Sequence, residues 1–456
     1  MRSVLFVAAL FAGLNAWSQD QTNQVVTRLP FEDAVKIALQ KNVNLNTQKN
    51  NMYAANARKL QAYSGYLPGI TGQAFAQRAN GLQIDPTTGV GSNVQADNIQ
   101  GSLNANYTIF NGFNRYNSIK QANNNLLAQT ALLQRTNQDV IFNVASQYLT
   151  VLLDQQLLAI AEENAKTQRV IFDQMKAQVE LGSRAQADEY TQNSLTKNAE
   201  VAAMRAKMTL ENDRALLAQT LQLDPSIAFE VVMPSWETDL NYFETHSLDS
   251  LYNIAINNRA DIKQQDYLAD GWKYSMRANT SGYYPTLSLF TSYGSTYFAS
   301  DAYKKTGGTP PLDFRDQFIN NNPQFAYGIQ LNIPIFDRFT TRTNRIVSKI
   351  NYQNTELIRD NVYKTAKIDV QRSFKNYQTA IESYRASLSQ VEAGELAFRV
   401  QKESYDLGVA SQVALATANQ AYVTAISSKA QAEVTLLFQK ILLEYALGTL
   451  KLEDFQ

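Results

Sequence analysis

Few residues in this chain could do acid, base or nucleophilic chemistry. Cysteine is absent and His246 is the only histidine. Thiol nucleophiles, Cys-ligated zinc and iron–sulfur clusters are thereby excluded. A multi-histidine metal site or a His-centred catalytic set has nothing to be built from. Asp188 and Glu189 are adjacent carboxylates that suit a helix start, where the dipole favours them. Lys304-Lys305 reads as a solvated loop pair, and His246 as a connector residue. The sequence is richer in hydrogen-bonding groups at every second position. Gln100, Ser102, Asn104 and Asn106 alternate with Ile99, Gly101, Leu103, Ala105 and Tyr107. Gln330 and Asn332 alternate with Ile329, Leu331 and Ile333. Amides and hydroxyls in such rows can line a wet passage, so the chemistry on offer is passage and no enzyme is indicated. No cofactor and no metal are implied.

The elements that carry these rows follow from periodicity. Alternation by two over 99–110 and 324–336 predicts strands with one oily and one wet face. Strands over 70–78 and 286–298 precede them. The connections 79–98 and 299–323, rich in Gly, Asn, Asp, Thr and Pro, read as long hairpin loops. Helical spacing predicts helices over 31–65 and 247–281, with Pro68 and Pro285 at the helix-to-strand junctions. Long proline-free helices are expected over 113–180 and 339–406. A seven-residue ladder runs through the first, Val144, Val151, Leu158, Ala165, Phe172 and Val179, and through the second, Val370, Tyr377, Tyr384, Val391, Phe398 and Tyr405. That period means coiled-coil packing. Gly182 and Gly408 sit where the chain turns back, into return helices over 184–222 and 410–447.

The chain is written twice. Phe31-Glu32-Asp33-Ala34-Val35 corresponds to Leu248-Asp249-Ser250-Leu251-Tyr252, and Gly65-Tyr66-Leu67-Pro68 to Gly282-Tyr283-Tyr284-Pro285. Ile109-Phe110-Asn111 corresponds to Ile335-Phe336-Asp337, and Leu181-Gly182 to Leu407-Gly408. Ordered anchors with matched spacing indicate an internal duplication. The expected organisation is a first repeat at 20–224, a connector at 225–246 and a second repeat at 247–456. Ahead of them, an apolar run from Val4 to Leu14 and the small residues of Ala16-Trp17-Ser18 read as a signal peptide over 1–19.

Lysine plus arginine and aspartate plus glutamate both number 41, which argues against a partner bound through phosphate charge, so no nucleic acid is expected. Past residue 20 no stretch is apolar enough for a helical membrane span. The strands are another matter. Two per repeat make four, and four cannot close a barrel, while the smallest membrane barrels have about eight. An open edge is not tolerated in lipid, so the chain must associate if its strands meet lipid. Tyr66, Tyr107, Phe110, Tyr283, Tyr284 and Phe336 fall at strand ends, where aromatic girdles sit.

With these features the chain resembles the TolC-like family of outer-membrane efflux proteins. The resemblance rests on Tyr66-Leu67-Pro68 and Tyr284-Pro285, on Phe110-Asn111-Gly112 and Phe336-Asp337, and on the Leu-Gly turns. It covers essentially all of the chain after the signal peptide. It implies a mixed α and β membrane protein in the outer membrane. Three copies would form a 12-stranded barrel in contact with lipid, continued by a periplasmic helical tunnel. It implies docking at Gly182 and Gly408 to a periplasmic adaptor (membrane fusion) protein and an inner-membrane pump. The tips would gate, with Asp188, Glu189 and Tyr405 as candidates. Where the family carries acids after the second tip glycine, this sequence has Ala414 and Thr417, which puts cation selectivity in question. The competing reading is a structural or adhesive coiled-coil protein without transport activity.

Overall fold

The computed structural model describes residues 27–84, 89, 91–224, 229–234, 246–301, 304 and 309–451. The expected signal peptide lies outside them. The chain order is β1 (Thr27–Leu29), α1 (Phe31–Lys41), α2 (Val43–Ser64), β2 (Gly69–Ile84), β3 (Gly91–Asn111), α3 (Asn114–Glu180), α4 (Gln186–Leu221) and β4 (Phe229–Val231). It continues with α5 (Leu248–Asn258), α6 (Ala260–Thr280), β5 (Thr286–Ser300), a short helical turn (Asp316–Asn321), β6 (Gln324–Asn332), α7 (Thr340–Asp406) and α8 (Gln412–Leu447). No described helix is long and apolar enough to cross a membrane.

The helix expected over 31–65 is two helices. Asn42 breaks it at φ −59°, ψ 121°, and its side chain caps α2 by accepting from Leu45 N at 3.0 Å. The helix expected over 247–281 breaks in the same way at Arg259, with the same φ and ψ. The connections also differ from expectation. Much of 79–98 is strand, because β2 and β3 stay paired out to Ile84 and Gly91. Arg78, the last residue of the expected strand, and Asp97, in the expected loop, face each other across this pair at 2.6 Å. The segment 299–323 contains the helical turn as well as loop. The strand expected over 324–336 ends at Asn332; Pro334, just beyond, has no N–H for a ladder. Two short strands were not anticipated: β1 pairs in parallel with β4, inside the expected connector.

Helices α3 and α7 have 67 residues each, about 100 Å at 1.5 Å per residue. The ladder residues pack inward. Val144, Val151, Val370 and Tyr377 are buried, with Leu158 and Tyr384 packed against them. One core joins α1, the middle of α3, the end of α4 and the end of α8 through Val35, Tyr148, Leu217 and Ile441. Tyr148 ties the β1–β4 pair to it. Its single hydroxyl proton lies between Leu29 O at 2.8 Å and Val232 O at 2.7 Å, and the oxygen accepts from Val232 N at 2.8 Å. A second core joins α5, α7 and α8 through Leu251, Ile381 and Leu443.

A carboxyl is buried where α3 meets α4. Burial, then the neighbouring Asp213 carboxyl, pushes Asp154 from an ordinary 3.8 up to about 7. The folded chain thus holds a proton there that the unfolded chain releases. That contribution is complete below pH 3.8 and is lost as pH rises through 7. Asp154→Asn is therefore expected to raise the melting temperature more at pH 8 than at pH 5. Circular dichroism melts of detergent-solubilised protein at the two pH values check this; an equal gain at both would refute it.

Candidate functional site

The larger sheet runs β2-β3-β5-β6, antiparallel throughout. Residues paired across strands share a face, since successive side chains alternate. Asn104 lies between Thr71 and Ser292, Ser102 between Gln73 and Gly294, and Gln100 between Phe75 and Thr296. Ser292 Oγ donates to Asn104 Oδ1 at 2.8 Å. Asn106 pairs with Phe290, Gln330 with Ser288 and Asn332 with Thr286. The register therefore puts all six predicted polar positions, Gln100, Ser102, Asn104, Asn106, Gln330 and Asn332, on one face. Leu103, Tyr293 and Phe325 line up on the other. Alternation alone did not reveal Phe75, Phe290 and Phe298 on the polar face. Nor did it reveal the bulge between Thr108 and Phe110, which leaves Ile109 unpaired and returns Phe110 to the oily face opposite Leu287.

Both strand-to-helix junctions use the same backbone device. Gly112 and Phe113 have φ of 64°, and Arg338 and Phe339 have φ of 56° and 62°. Rings pack edge to face in both places, Phe110 on Phe113 and Phe336 on Phe339. Gly112 is obligatory, because a Cβ there would press on Ser281 O and Tyr284. Arg338 bears the left-handed strain on an exposed side chain. Arg338→Gly is expected to stabilise by about 0.5–1 kcal/mol, read as a higher melting temperature; a lower one would refute it. Pro68 and Pro285 stand just before β2 and β5. Arg115 lies over the Tyr66 ring at 4.6 Å and donates to Thr108 O at 2.7 Å, fastening this junction.

At the opposite end, Gly182 and Gly408 close α3 and α7 with φ of 75° and 78°. In each turn the glycine N–H and the next N–H bond back to the helix: Gly182 N to Val179 O at 2.9 Å and Ser183 N to Gln178 O at 2.9 Å. The second turn repeats this with Gly408 N to Tyr405 O at 3.0 Å and Val409 N to Ser404 O at 2.9 Å. This is the Schellman pattern, which requires φ above zero at the glycine. Leu181, Leu407 and Val409 are more than four-fifths exposed at these tips.

Tyr405 is buried where the two hairpins meet, against Met175, Ile171 and Leu415. Its hydroxyl points at Met175 Sδ, 3.7 Å away. The Arg184 guanidinium lies over its ring at 4.9 Å. Burial raises the phenol pKa, Arg184 pulls it down, and Asp188 and Asp406 add to the rise. Asp188 and Glu189 occupy the first turn of α4, as a dipole-favoured start requires. Asp188 acts on Tyr405 through its charge, while its backbone carbonyl accepts from Gln412 Nε2 at 3.3 Å. Sequence reasoning missed the amide row beside it. Gln412 Nε2 donates to Gln192 Oε1 at 3.1 Å, and Gln192 Nε2 to Gln168 Oε1 at 2.8 Å. Asn419 Nδ2 donates to Asn164 Oδ1 at 2.9 Å. All of Gln168, Gln192, Gln412 and Asn419 are buried.

A two-faced open sheet on paired helical rods about 100 Å long defines an outer-membrane, barrel-contributing class of protein. The profile of the outer membrane efflux protein family matches residues 34–222 and 251–449, and the chain belongs to that family. It is 22% identical over 329 residues to the outer membrane protein TolC of Salmonella enteritidis, covering 72% of this chain and 64% of TolC. It is 20% identical over 397 residues to the outer membrane efflux protein BepC of Brucella suis, covering 87% of this chain and 79% of BepC. The match to TolC thus spans just under two thirds of that relative's length. Among solved structures it superposes on the outer membrane protein VceC of Vibrio cholerae with a TM-score of 0.78 at 13% identity, covering 92% of this chain and 96% of VceC. It superposes on the CmeC outer membrane channel of Campylobacter jejuni with a TM-score of 0.78 at 17% identity, covering 92% and 85%. The fold is that of these proteins, a four-stranded sheet with a long helical extension, in the outer membrane and reaching into the periplasm.

Proposed function

We propose that this chain is the outer-membrane exit duct of an export system, passing small molecules or secreted polypeptide outward. One observation carries the reading. The four-stranded sheet leaves β2 and β6 as edges, it is oily on one face and wet on the other, and its strands run directly into the rods. Sheet edges cannot stand open in lipid. Pairing β6 of one copy with β2 of the next closes a barrel, and three copies give 12 strands. The face bearing Gln100, Ser102, Asn104, Asn106, Gln330 and Asn332 then lines the pore, and the rods continue that pore across the periplasm. The two repeats, 20–224 and 247–456, each supply one hairpin and one rod.

The role is passage, and catalysis plays no part in it, so energy comes from an inner-membrane pump through a periplasmic adaptor. The exposed Leu181, Leu407 and Val409 beside Gly182 and Gly408 suit adaptor docking, because exposed aliphatic clusters at a rigid turn favour burial against a partner. Tyr405, with Asp188 and Glu189 nearby, stands where the hairpins converge and is the candidate gate. Planar-bilayer recording of the refolded oligomer tests the duct. Discrete conductance steps are expected. A properly folded oligomer that conducts nothing would instead favour a structural or adhesive protein.

A further inference from the structure

Two surfaces that this conduit would present to its cargo, the polar face of the sheet and a cavity near the tip, carry no charged side chain among the described residues. Near the tip, a cavity of about 960 Å³ opens between α3, α4 and α8, with Gln390 of α7 at its edge. Its floor is aliphatic, including Leu157, Ile160 and Leu195, and its rim carries amides, including Asn164, Asn198 and Gln420. No Asp, Glu, Lys or Arg is among its lining residues. On α8 the reason is plain in the sequence, since no charged residue occurs from Val409 to Ser428. Val413, Thr417, Gln420 and Thr424 recur at helical spacing along that wall. Charges of α3 and α4 at this level stand outside the cavity lining, several of them in exposed pairs: Lys197 with Glu200 at 2.7 Å, Arg169 with Asp173 at 3.6 Å and Lys166 with Glu163 at 3.6 Å. The contacts closing the hairpins beside the cavity are amide to amide. The sheet repeats the pattern. Its four strands contain only Arg78 and Asp97 as charges, and the register puts that bonded pair on the oily face, with Ala76, Ile99 and Tyr297.

Resting on the duct reading, we propose that the conduit is charge-neutral along its strand wall and along the cavity that α8 lines beside the tip. It passes small cations and anions alike. The physical ground is electrostatic focusing. A water-filled cleft lined by one sign of charge concentrates the opposite ion, and a lining without charge has no such field.

The test is the reversal potential of the full-chain oligomer in a planar bilayer under a potassium chloride gradient. A cation-to-anion permeability ratio of about one is expected for the natural chain. The double variant Ala414→Asp, Thr417→Asp should raise that ratio several-fold by adding a ring of acids. Both positions lie in the first two turns of α8, where acids suit the helix dipole, so the fold tolerates them. A natural channel that already favours one ion tenfold or more overturns the inference while leaving the duct intact. So does a double variant whose ratio does not move. An oligomer that forms no channel at all overturns both.

Discussion

Arg259→Met is expected to lower stability by about 3 kcal/mol, because it strands two carboxylates that the fold has committed to one guanidinium. Arg259 is 3% exposed. Its Nε and Nη2 donate to Asp261 at 3.0 and 2.7 Å in a bidentate fork. Its Nη1 donates to Asp369 on α7 at 3.2 Å and to Ala446 O on α8 at 3.3 Å. One side chain thereby ties the α5–α6 break to both rods of the second hairpin. Gly448 must lack a Cβ, since one would press on the Arg259 backbone. Methionine fills similar space without the charge, so the loss reports the network and not a cavity. Arg259→Lys should recover only part, because an ammonium lacks the planar fork. The effect carries a pH signature. Burial pushes the Asp261 pKa up, but the hydrogen bond and charge of Arg259 outweigh it and hold the carboxyl below its ordinary 3.8. A depressed carboxyl contributes stability above 3.8 that is lost as pH falls through the folded value. The deficit of Arg259→Met should therefore be full at pH 7 and shrink below pH 3.8. Melts of detergent-solubilised protein across that range check this. A deficit independent of pH would mean that packing, and not the ion network, matters at Arg259.

The same position illustrates what the sequence could and could not disclose. Duplication, the order of helix, hairpin, rod and return, and the two faces of the strands were all legible. They rest on patterns local to a few turns or a few strand residues, where period two and period seven leave clear marks. The breaks at Asn42 and Arg259 were not. A break of one residue leaves the apolar spacing on either side nearly unchanged, and a buried arginine looks like a solvated one until its partners, Asp261 and Asp369, are placed in space. The pair β1 and β4 is too short for alternation to register. The extra length of β2 and β3 was hidden by the Gly, Asn, Asp, Thr and Pro of 79–98, among them Asp97, which looks like a loop charge until Arg78, the last residue of the expected strand, meets it across the ladder. At the tip, the ladder pointed to Tyr405 correctly as an inward position. The buried row of Gln168, Gln192 and Gln412 looks like a wet helix face in one dimension, because an amide at a core position is recognisable only by its partner amide.

Tyr405→Ala is expected to open the conduit. The side chain is 4% exposed and fills the contact between hairpins, with Met175 at its hydroxyl and Arg184 over its ring. Truncating a buried aromatic ring costs about 3–5 kcal/mol in a well-packed core. A tip that can part along this contact should register only some of that. Even 1.4–2.8 kcal/mol would shift the closed-to-open balance by about tenfold to a hundredfold. Single-channel open probability should rise accordingly, and host cells should leak antibiotic inward. Tyr405→Phe keeps the ring and its cation contact and loses only the weak approach to sulfur, so it should stay close to the natural chain. The ladder position alone does not dictate this outcome. Val179 holds the equivalent rung of the first hairpin and is half-buried, whereas Tyr405 lies against residues of the opposite hairpin. A rung that merely packs α7 against α8 would, on truncation, lower the melting temperature and leave open probability where it was. A rung that holds the hairpins together must move the open probability, and unchanged leakage in Tyr405→Ala would refute its role as a gate.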